Sequence, residues 1–524
     1  MSKPIVLSGR MGSGKSTVGP LLAQRLGVPF FDTDQIIEAR VNKKVNEFWR
    51  SDGSDAFRAI EREVALEVLA DASPKVIAFG GGTVTLRDVR RKAIDTAYVV
   101  TLGAATSVLL GRVGDPSTRP LLASGDAFQR LEDLASDRAD AYAECHASID
   151  TEGFTPDELV DRISSHLDAE QVIVPLGRST YGVENITKQK TRLVDRIAEL
   201  APSSIVIVTD SNVERLYGKD LRRVLSPLAI ASTQVTLAPG EMHKNIQSAQ
   251  LIWDAALGAG VDRDTLLLAF GGGTVGDLTG FAASTLLRGV RTLQVPTTLL
   301  AMVDSSVGGK TGLDHPAGKN LVGTFFQPSS VLIDFDRLKT LPDRDYRGGL
   351  AEIVKVALVS SSVDFERLEV LAPKLRTRDA EAIREVVFRA ITTKARFVRD
   401  DERDNGERVL LNFGHTLGHA VEAAGGFRTW LHGEAVALGM LGELQMSVRL
   451  GRTPKEVLQR VRFLLERFEL PCDLPKESRP PVWAYIRADK KRVRERIRIP
   501  IVTGVGVCKV DELPLQTLRD HFFS

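Results

Sequence analysis

Cysteine is scarce. Cys145, Cys472 and Cys508 make an odd total with no close pair and no C-x-x-C, which argues against a disulfide framework and a thiolate zinc site and fits a reducing compartment. Charge of one sign is missing too. Lys plus Arg number 69 and Asp plus Glu 68, so no global field draws the chain to nucleic acid or an anionic membrane, and anionic ligands need local sites. No segment has the roughly 18 uninterrupted apolar residues of a membrane span, and Ile5-Val6-Leu7 is far below the apolar region of a signal peptide. The expectation is a cytoplasmic protein. Internal repeats and low-complexity linkers are also lacking. What remains is an ordinary soluble globular composition, 43% hydrophobic and 26% charged over 524 residues. At about 100 to 200 residues per domain, that length predicts two to four domains.

From residue 1 to about 168, short β-rich runs (4–8, 75–81, 96–103) alternate with helical spacing, which predicts a parallel sheet with helices on both faces. The pattern restarts near 169 with runs at 172–177, 204–210, 234–240, 265–273 and 291–298, a second α/β domain reaching to about 342. From 343 to 524 helical spacing dominates and predicts a mostly α-helical third domain.

Gly9-Arg10-Met11-Gly12-Ser13-Gly14-Lys15-Ser16 fits G-x-x-x-x-G-K-[ST] directly after a strand and before the apolar-periodic segment that starts at Thr17. Such a loop turns successive N–H groups toward oxyanions, its Lys reaches the outer phosphates, and its Ser can ligate magnesium. A nucleoside triphosphate is implied, with the acceptor left open. Phe31-Asp32-Thr33-Asp34 adds two carboxylates, suited to magnesium-bound water and an acceptor hydroxyl. Taken singly, an arginine reads as a surface charge and a glycine triplet as a tight turn. In order, however, Asp32-Thr33-Asp34, Phe57-Arg58 with Glu61, Gly80-Gly81-Gly82, Arg119-Pro120-Leu121-Leu122 and Arg138 with Tyr142 and Glu144 resemble shikimate kinase across the first domain. The resemblance implies ATP-dependent phosphorylation of the 3-hydroxyl of shikimate. ATP would lie on Gly12, Ser13, Gly14, Lys15, Ser16 and Thr17 under a lid arginine, Arg119, with Mg²⁺ on Ser16 and, through water, on Asp32. Asp34 would orient and deprotonate the attacking hydroxyl. Shikimate would also meet Gly80, Gly81, Gly82 and the arginines Arg58 and Arg138, whose forks suit a carboxylate.

Beyond residue 169 the chemistry-bearing strings differ. Gly271-Gly272-Gly273-Thr274-Val275-Gly276-Asp277 follows a β-like run, where bare backbone would approach a pyrophosphate at a helix start or simply make a strand-to-helix turn. Asp210 and Asn212 at a strand end could take ribose hydroxyls. Only eight histidines exist, yet His415, His419 and His432 fall close together, the first two at i and i+4 on one helix face, with Glu352 upstream. Two His and a carboxylate would form a catalytic metal site, and spacing alone leaves open whether both members of the i, i+4 pair are ligands.

From about 172 to 520 the chain resembles 3-dehydroquinate synthase, through GGGTVGDLTGF at 271–281, PTTLLAMVDSSVGGKTG at 296–312, HPAGKN at 315–320, AEIVK at 351–355, NFGHTLGHAVE at 412–422 and HGEAVALGM at 432–440. The resemblance implies zinc, or cobalt in its place, on Glu352, His415 and His432, which leaves His419 to the substrate. It implies NAD on Asp210, Asn212, Pro239, Gly240, Glu241, Met242, His243, Lys244, Gly273, Thr274, Val275, Gly276, Asp277, Thr297, Thr298, Lys310, Lys319, Arg337, Leu338, Lys339 and Thr340. Substrate would meet Asp304, Lys310, Asn320, Lys355, Lys394, Arg408, His419 and Lys490, with Arg288 reaching in from the neighbour in a homodimer. Among these, Lys310, Lys355, Lys394, Arg408 and His419 would be catalytic. Asp404 stands where Glu is usual and Met302 where Gln is frequent.

The implied conversion takes 3-deoxy-D-arabino-heptulosonate 7-phosphate to 3-dehydroquinate and phosphate, with NAD regenerated in every turnover. Together the resemblances imply a bifunctional enzyme whose two steps are not consecutive in their pathway. The alternatives are a kinase of another small hydroxylated acid joined to a different sugar-phosphate cyclase or a metal-dependent polyol dehydrogenase, and a scaffold built from inactive enzyme folds.

Overall fold

The computed structural model describes residues 3–114, 121–122, 126–316, 318–487, 492–493 and 496–522. Two compact units emerge, Met1–Gly182 and Val183–Ser524.

In the first unit five parallel strands run in the order Phe30–Asp32, Val76–Ala78, Ile5–Gly9, Tyr98–Gly103, Ala147–Asp150. Successive residues of a strand face opposite sides, and the two cores divide the strands accordingly. Val6, Ile77 and Val99 pack with Leu69, Val89 and Ala93 of the helices Val45–Ala70 and Arg87–Thr96. Ile5, Leu7, Val76 and Val100 pack on the other side with Leu22, Leu159 and Ile163 of Lys15–Leu26 and Pro156–Leu167. Helices therefore cover both faces, as the alternating pattern predicts.

In the second unit the parallel strands Ser330–Ile333, Arg291–Pro296, Leu266–Gly271, Ile205–Asp210 and Ser232–Leu237 are adjacent in that order. Leu267 and Val206 face the helices Ile246–Gly258 and Gly273–Thr285. Leu266, Leu268 and Ile207 face Arg192–Leu200 and Ser211–Leu225. Asp210, Leu237, Gly271 and Pro296 all end their strands on one edge, the carboxyl edge where ligands of doubly wound sheets bind.

From Asp343 onward eight α-helices follow among the described residues, as expected, but not alone. Arg496–Gly504 and Val507–Pro514 pair antiparallel, and Ile497, Ile499 and Ile501 point from that hairpin into a core with Leu417, Val421 and Leu438. The helical reading of this end missed the hairpin because its strict alternation spans only a few residues.

Candidate active sites

In the first unit the glycine-rich loop joins the strand Ile5–Gly9 to the helix Lys15–Leu26, and Gly14 takes the left-handed conformation at the helix start, with φ 94°. Lys15 Nζ donates to the carbonyls of Gly9 at 2.8 Å and Arg10 at 3.0 Å, which keeps the ammonium inside the loop. Ser16 Oγ donates to Asp32 Oδ2 at 2.8 Å. The other Asp32 oxygen accepts from the Asp34 and Gln35 amides, so Asp32 caps the helix Thr33–Val41. The two carboxylates sit alternately because the strand ends in a cap, which turns Asp34 into the first helical turn.

The glycine triplet is the hub of this unit's acceptor residues. A Cβ on Gly80 would lie 2.6 Å from Asp34 Oδ1, and one on Gly82 would overlap the Arg58 guanidinium. Arg138 Nη1 donates to the Gly81 carbonyl at 3.1 Å. Hydrogen in place of a side chain is what lets Asp34, Arg58 and Arg138 converge. Arg58 is aimed by buried Glu61, which also accepts from Thr83 Oγ1 at 2.7 Å, and it lies 5.5 Å from the Trp49 ring. Trp49 carries no motif signal beyond its spacing from Arg58. Arg119 lies outside the described residues.

In the second unit the sheet edge and the helices meet through a chain of ion pairs. Lys244 Nζ contacts Asp277 Oδ2 at 2.6 Å and Asn320 Oδ1 at 2.6 Å. Glu241 accepts from Thr274 Oγ1 at 2.8 Å, beside the start of the helix Gly273–Thr285, and pairs with Lys319 at 2.9 Å. Burial would raise the Glu241 pKa, but Lys244 and Lys319 hold it down at about 2. Lys319 also reaches Glu422 at 3.0 Å, and Glu422 meets His432 Nδ1 at 3.2 Å.

His432 Nε2 stands 3.3 Å and His415 Nε2 3.7 Å from Glu352 Oε1. The helix Asp343–Ser360 brings Glu352 here because Gly433, next to His432, packs on Gly348, where a Cβ would overlap the Gly348 backbone. The other nitrogen of each imidazole is engaged, His415 Nδ1 with the Phe413 carbonyl at 3.1 Å and His432 Nδ1 with Glu422. Glu352 is fully buried, and its Oε2 pairs with the Lys355 ammonium while its Oε1 faces both imidazoles. A buried carboxylate oxygen faced by two Nε2 atoms whose rings are oriented from behind fits a divalent cation. Burial opposes a charge on His432, yet Glu422 and Glu352 lift its pKa to about 10, a further sign that this position stabilises positive charge. His419, 5.2 Å from His415 between ring centres, also falls within a second possible donor group with Glu422 and His432.

Around these groups Lys394 pairs with Asp304, which the π-helical turn Ala301–Ser305 presents, and Lys310 pairs with Asp404. Arg408 donates to the Gly308 carbonyl at 2.9 Å. The shorter Asp404 thus still reaches a lysine of the cleft, and Met302 is simply buried. Asp210 caps the helix Ser211–Leu225 through the Asn212 and Val213 amides. Tyr217 of that helix ties down 337–340, donating to the Arg337 carbonyl at 3.3 Å. Arg288 stands apart from this chain of pairs, in a left-handed conformation with φ 68°. Lys490 lies outside the described residues. Glu422 is the residue the motif reading passed over, although it falls seven positions after His415 on the same helical face.

Comparison with known proteins follows the same division. Residues 11–168 match the family model of shikimate kinase. Residues 234–348 and 349–492 match the N-terminal and C-terminal models of 3-dehydroquinate synthase. A 3-dehydroquinate synthase of Pelobacter propionicus is 42% identical over 314 residues, 60% of this chain and 88% of that protein. Among solved structures, a 2-epi-5-epi-valiolone synthase from Streptomyces hygroscopicus with NAD⁺ and Zn²⁺ bound aligns with TM-score 0.57 and 27% identity, over 65% of this chain and 95% of its own. A 2-deoxy-scyllo-inosose synthase complexed with carbaglucose-6-phosphate, NAD⁺ and Co²⁺ shares the fold at TM-score 0.61 and 22% identity, over 68% of this chain and 99% of its own. The synthase match extends across cofactor edge and metal cluster alike, which sets aside the polyol dehydrogenase, and the chain accordingly belongs to the 3-dehydroquinate synthase family and carries a shikimate kinase ahead of it, a transferase and a lyase of the shikimate pathway on one polypeptide.

Proposed function

We propose that the synthase unit works with NAD and one divalent metal, zinc or cobalt, held by Glu352, His415 and His432, and that the kinase unit works with Mg²⁺-ATP. The observation that carries the metal reading is the pair of Nε2 atoms directed at one oxygen of buried Glu352. Such a metal, when bound, polarises a substrate oxygen as a Lewis acid. NAD, when bound, takes up a hydride and returns it. The chain's own residues do the rest. Lys310, Lys355, Lys394, Arg408 and His419 surround the substrate, and four of these five are cationic side chains that match a molecule bearing both phosphate and carboxylate. Glu241, Lys244 and Asp277 shape the cofactor side, with Asp210 and the 337–340 segment at the same sheet edge. The family's dimer would add Arg288 from a second copy.

In the kinase unit the loop from Gly12 to Thr17 holds the triphosphate, and Ser16 with Asp32 faces the metal. Arg58 and Arg138 clamp the acceptor carboxylate, and Asp34 accepts the proton of the attacking hydroxyl. Among the described residues no helix is long and apolar enough to cross a membrane, which agrees with a cytoplasmic site of action. The test strips metal with dipicolinate and then assays both reactions by product mass. Formation of 3-dehydroquinate should stop and return with Zn²⁺ or Co²⁺, while shikimate phosphorylation in added Mg²⁺ continues. Synthase turnover that survives complete metal removal refutes the reading.

A further inference from the structure

Glu422 lies between the cofactor side and the metal side of the synthase cleft and touches both. It is 3% exposed, on the helix His415–Ala424. One oxygen receives the Lys319 ammonium at 3.0 Å, and that ammonium also pairs with Glu241 at 2.9 Å. The other meets His432 Nδ1 at 3.2 Å. A carboxylate deprived of its proton can only accept. Glu422 holds the His432 ring from its Nδ1 side as it holds the Lys319 ammonium, and this leaves Nε2 facing Glu352. The position of Lys319 thereby bears on the angle of a metal-facing ring across the cleft.

We propose that Glu422 is a positioning residue that links the two cofactors: ordering of Lys319 and Glu241 by NAD fixes Glu422, and Glu422 fixes His432 for the metal, so that each cofactor tightens the other. The inference rests on the reading of Glu352, His415 and His432 as the metal set and of Glu241 and Lys319 as NAD contacts. Glu422 itself is not a ligand in this scheme, because Lys319 and His432 Nδ1 already engage both of its oxygens, whereas Glu352 Oε1 faces both Nε2 atoms. Linkage of this kind is reciprocal and typically about 5- to 150-fold, and loss of a carboxylate behind a ligating histidine typically weakens metal binding about 10- to 100-fold.

The full-length protein is titrated with Co²⁺ against a chromophoric chelator, with and without saturating NAD, and its visible d–d spectrum is recorded. In the wild type NAD should lower the Co²⁺ dissociation constant several-fold. E422Q should keep the d–d band positions, bind Co²⁺ about 10-fold or more weakly, and lose the NAD effect. E422D should restore part of it, as no purely structural role requires. Native affinity with an intact NAD effect in E422Q overturns the proposal. Shifted bands in E422Q overturn it as well, since they make Glu422 a ligand. Should E422Q lose its thermal unfolding transition, K319Q at saturating NAD carries the same test, and a retained NAD effect there overturns the linkage. E352A separates the two ideas: a wild type that binds no Co²⁺, or an E352A protein that binds it normally, ends the metal reading and the linkage together.

Discussion

Lys394 enters the synthase cleft from the helix Ala380–Asp400 and is 6% exposed. Burial lowers its pKa most, Asp304 works against that, and Arg408 lowers it again, so the ammonium titrates at about 8 instead of the ordinary 10.5. Holding a phosphate or carboxylate requires the charged form. With a depressed pKa, that form is present below about pH 8 and is lost as the pH rises through it. The value of kcat/KM for the heptulosonate phosphate, which reports the free enzyme, should therefore fall on an alkaline limb near pH 8. K394R keeps its charge at any working pH. Its limb should move upward by a unit or more, even where the altered fork costs about tenfold in rate. A pH–rate profile of the variant that superimposes on the wild type would assign the limb to another group.

At the scale of elements, stability is spread over surfaces that local spacing reveals unevenly. Ile499 is fully buried in the C-terminal hairpin, against Leu417 and Val421 of the helix that carries His415 and His419. I499A should cost about 2 to 5 kcal/mol, the usual range for deleting a buried isoleucine side chain. Urea unfolding followed by tryptophan fluorescence reads it, because Trp430 and Trp483 pack against this cluster. A midpoint equal to that of the wild type would mean that the hairpin does not buttress the histidine helix. The same hairpin marks a limit of sequence reading. The glycine-rich loop, the glycine triplet and the His415–His419 pair are legible because each is a local string whose backbone conformation is its function. The metal set itself was not fixed by spacing, which left His419 in contention; the family resemblance assigns it to the substrate, while in the structure it also stands in a second possible donor group with Glu422 and His432. Glu422 stayed hidden because its partner Lys319 meets it only through tertiary packing.

At the scale of the whole molecule, each unit has cores of its own. Ile5, Leu7 and Val6 belong to clusters whose members all precede Gly182, and Val206, Leu267 and Leu268 to clusters drawn wholly from residues after it. Each unit also closes its own set of charged groups, Asp34, Arg58 and Arg138 around Gly80–Gly82 in one and Glu352, His415 and His432 in the other. The reactions are not consecutive, so the product of one is not the substrate of the other, and nothing in the chemistry asks one site to feed its neighbour. Independent catalysis on a shared chain is the expected behaviour. K15A removes the charge that meets the outer phosphates and should reduce shikimate phosphorylation by about 100-fold or more, while 3-dehydroquinate formation stays within twofold of the wild type. E352A should do the reverse, abolishing the synthase with its metal and leaving the kinase within twofold. Both rates measured on each full-length variant, with the unaltered substrate of the other site present and then absent, decide the matter. A K15A protein whose synthase rate collapses, or an E352A protein whose kinase rate does, while both remain folded by circular dichroism, would show that the units act as one catalytic body.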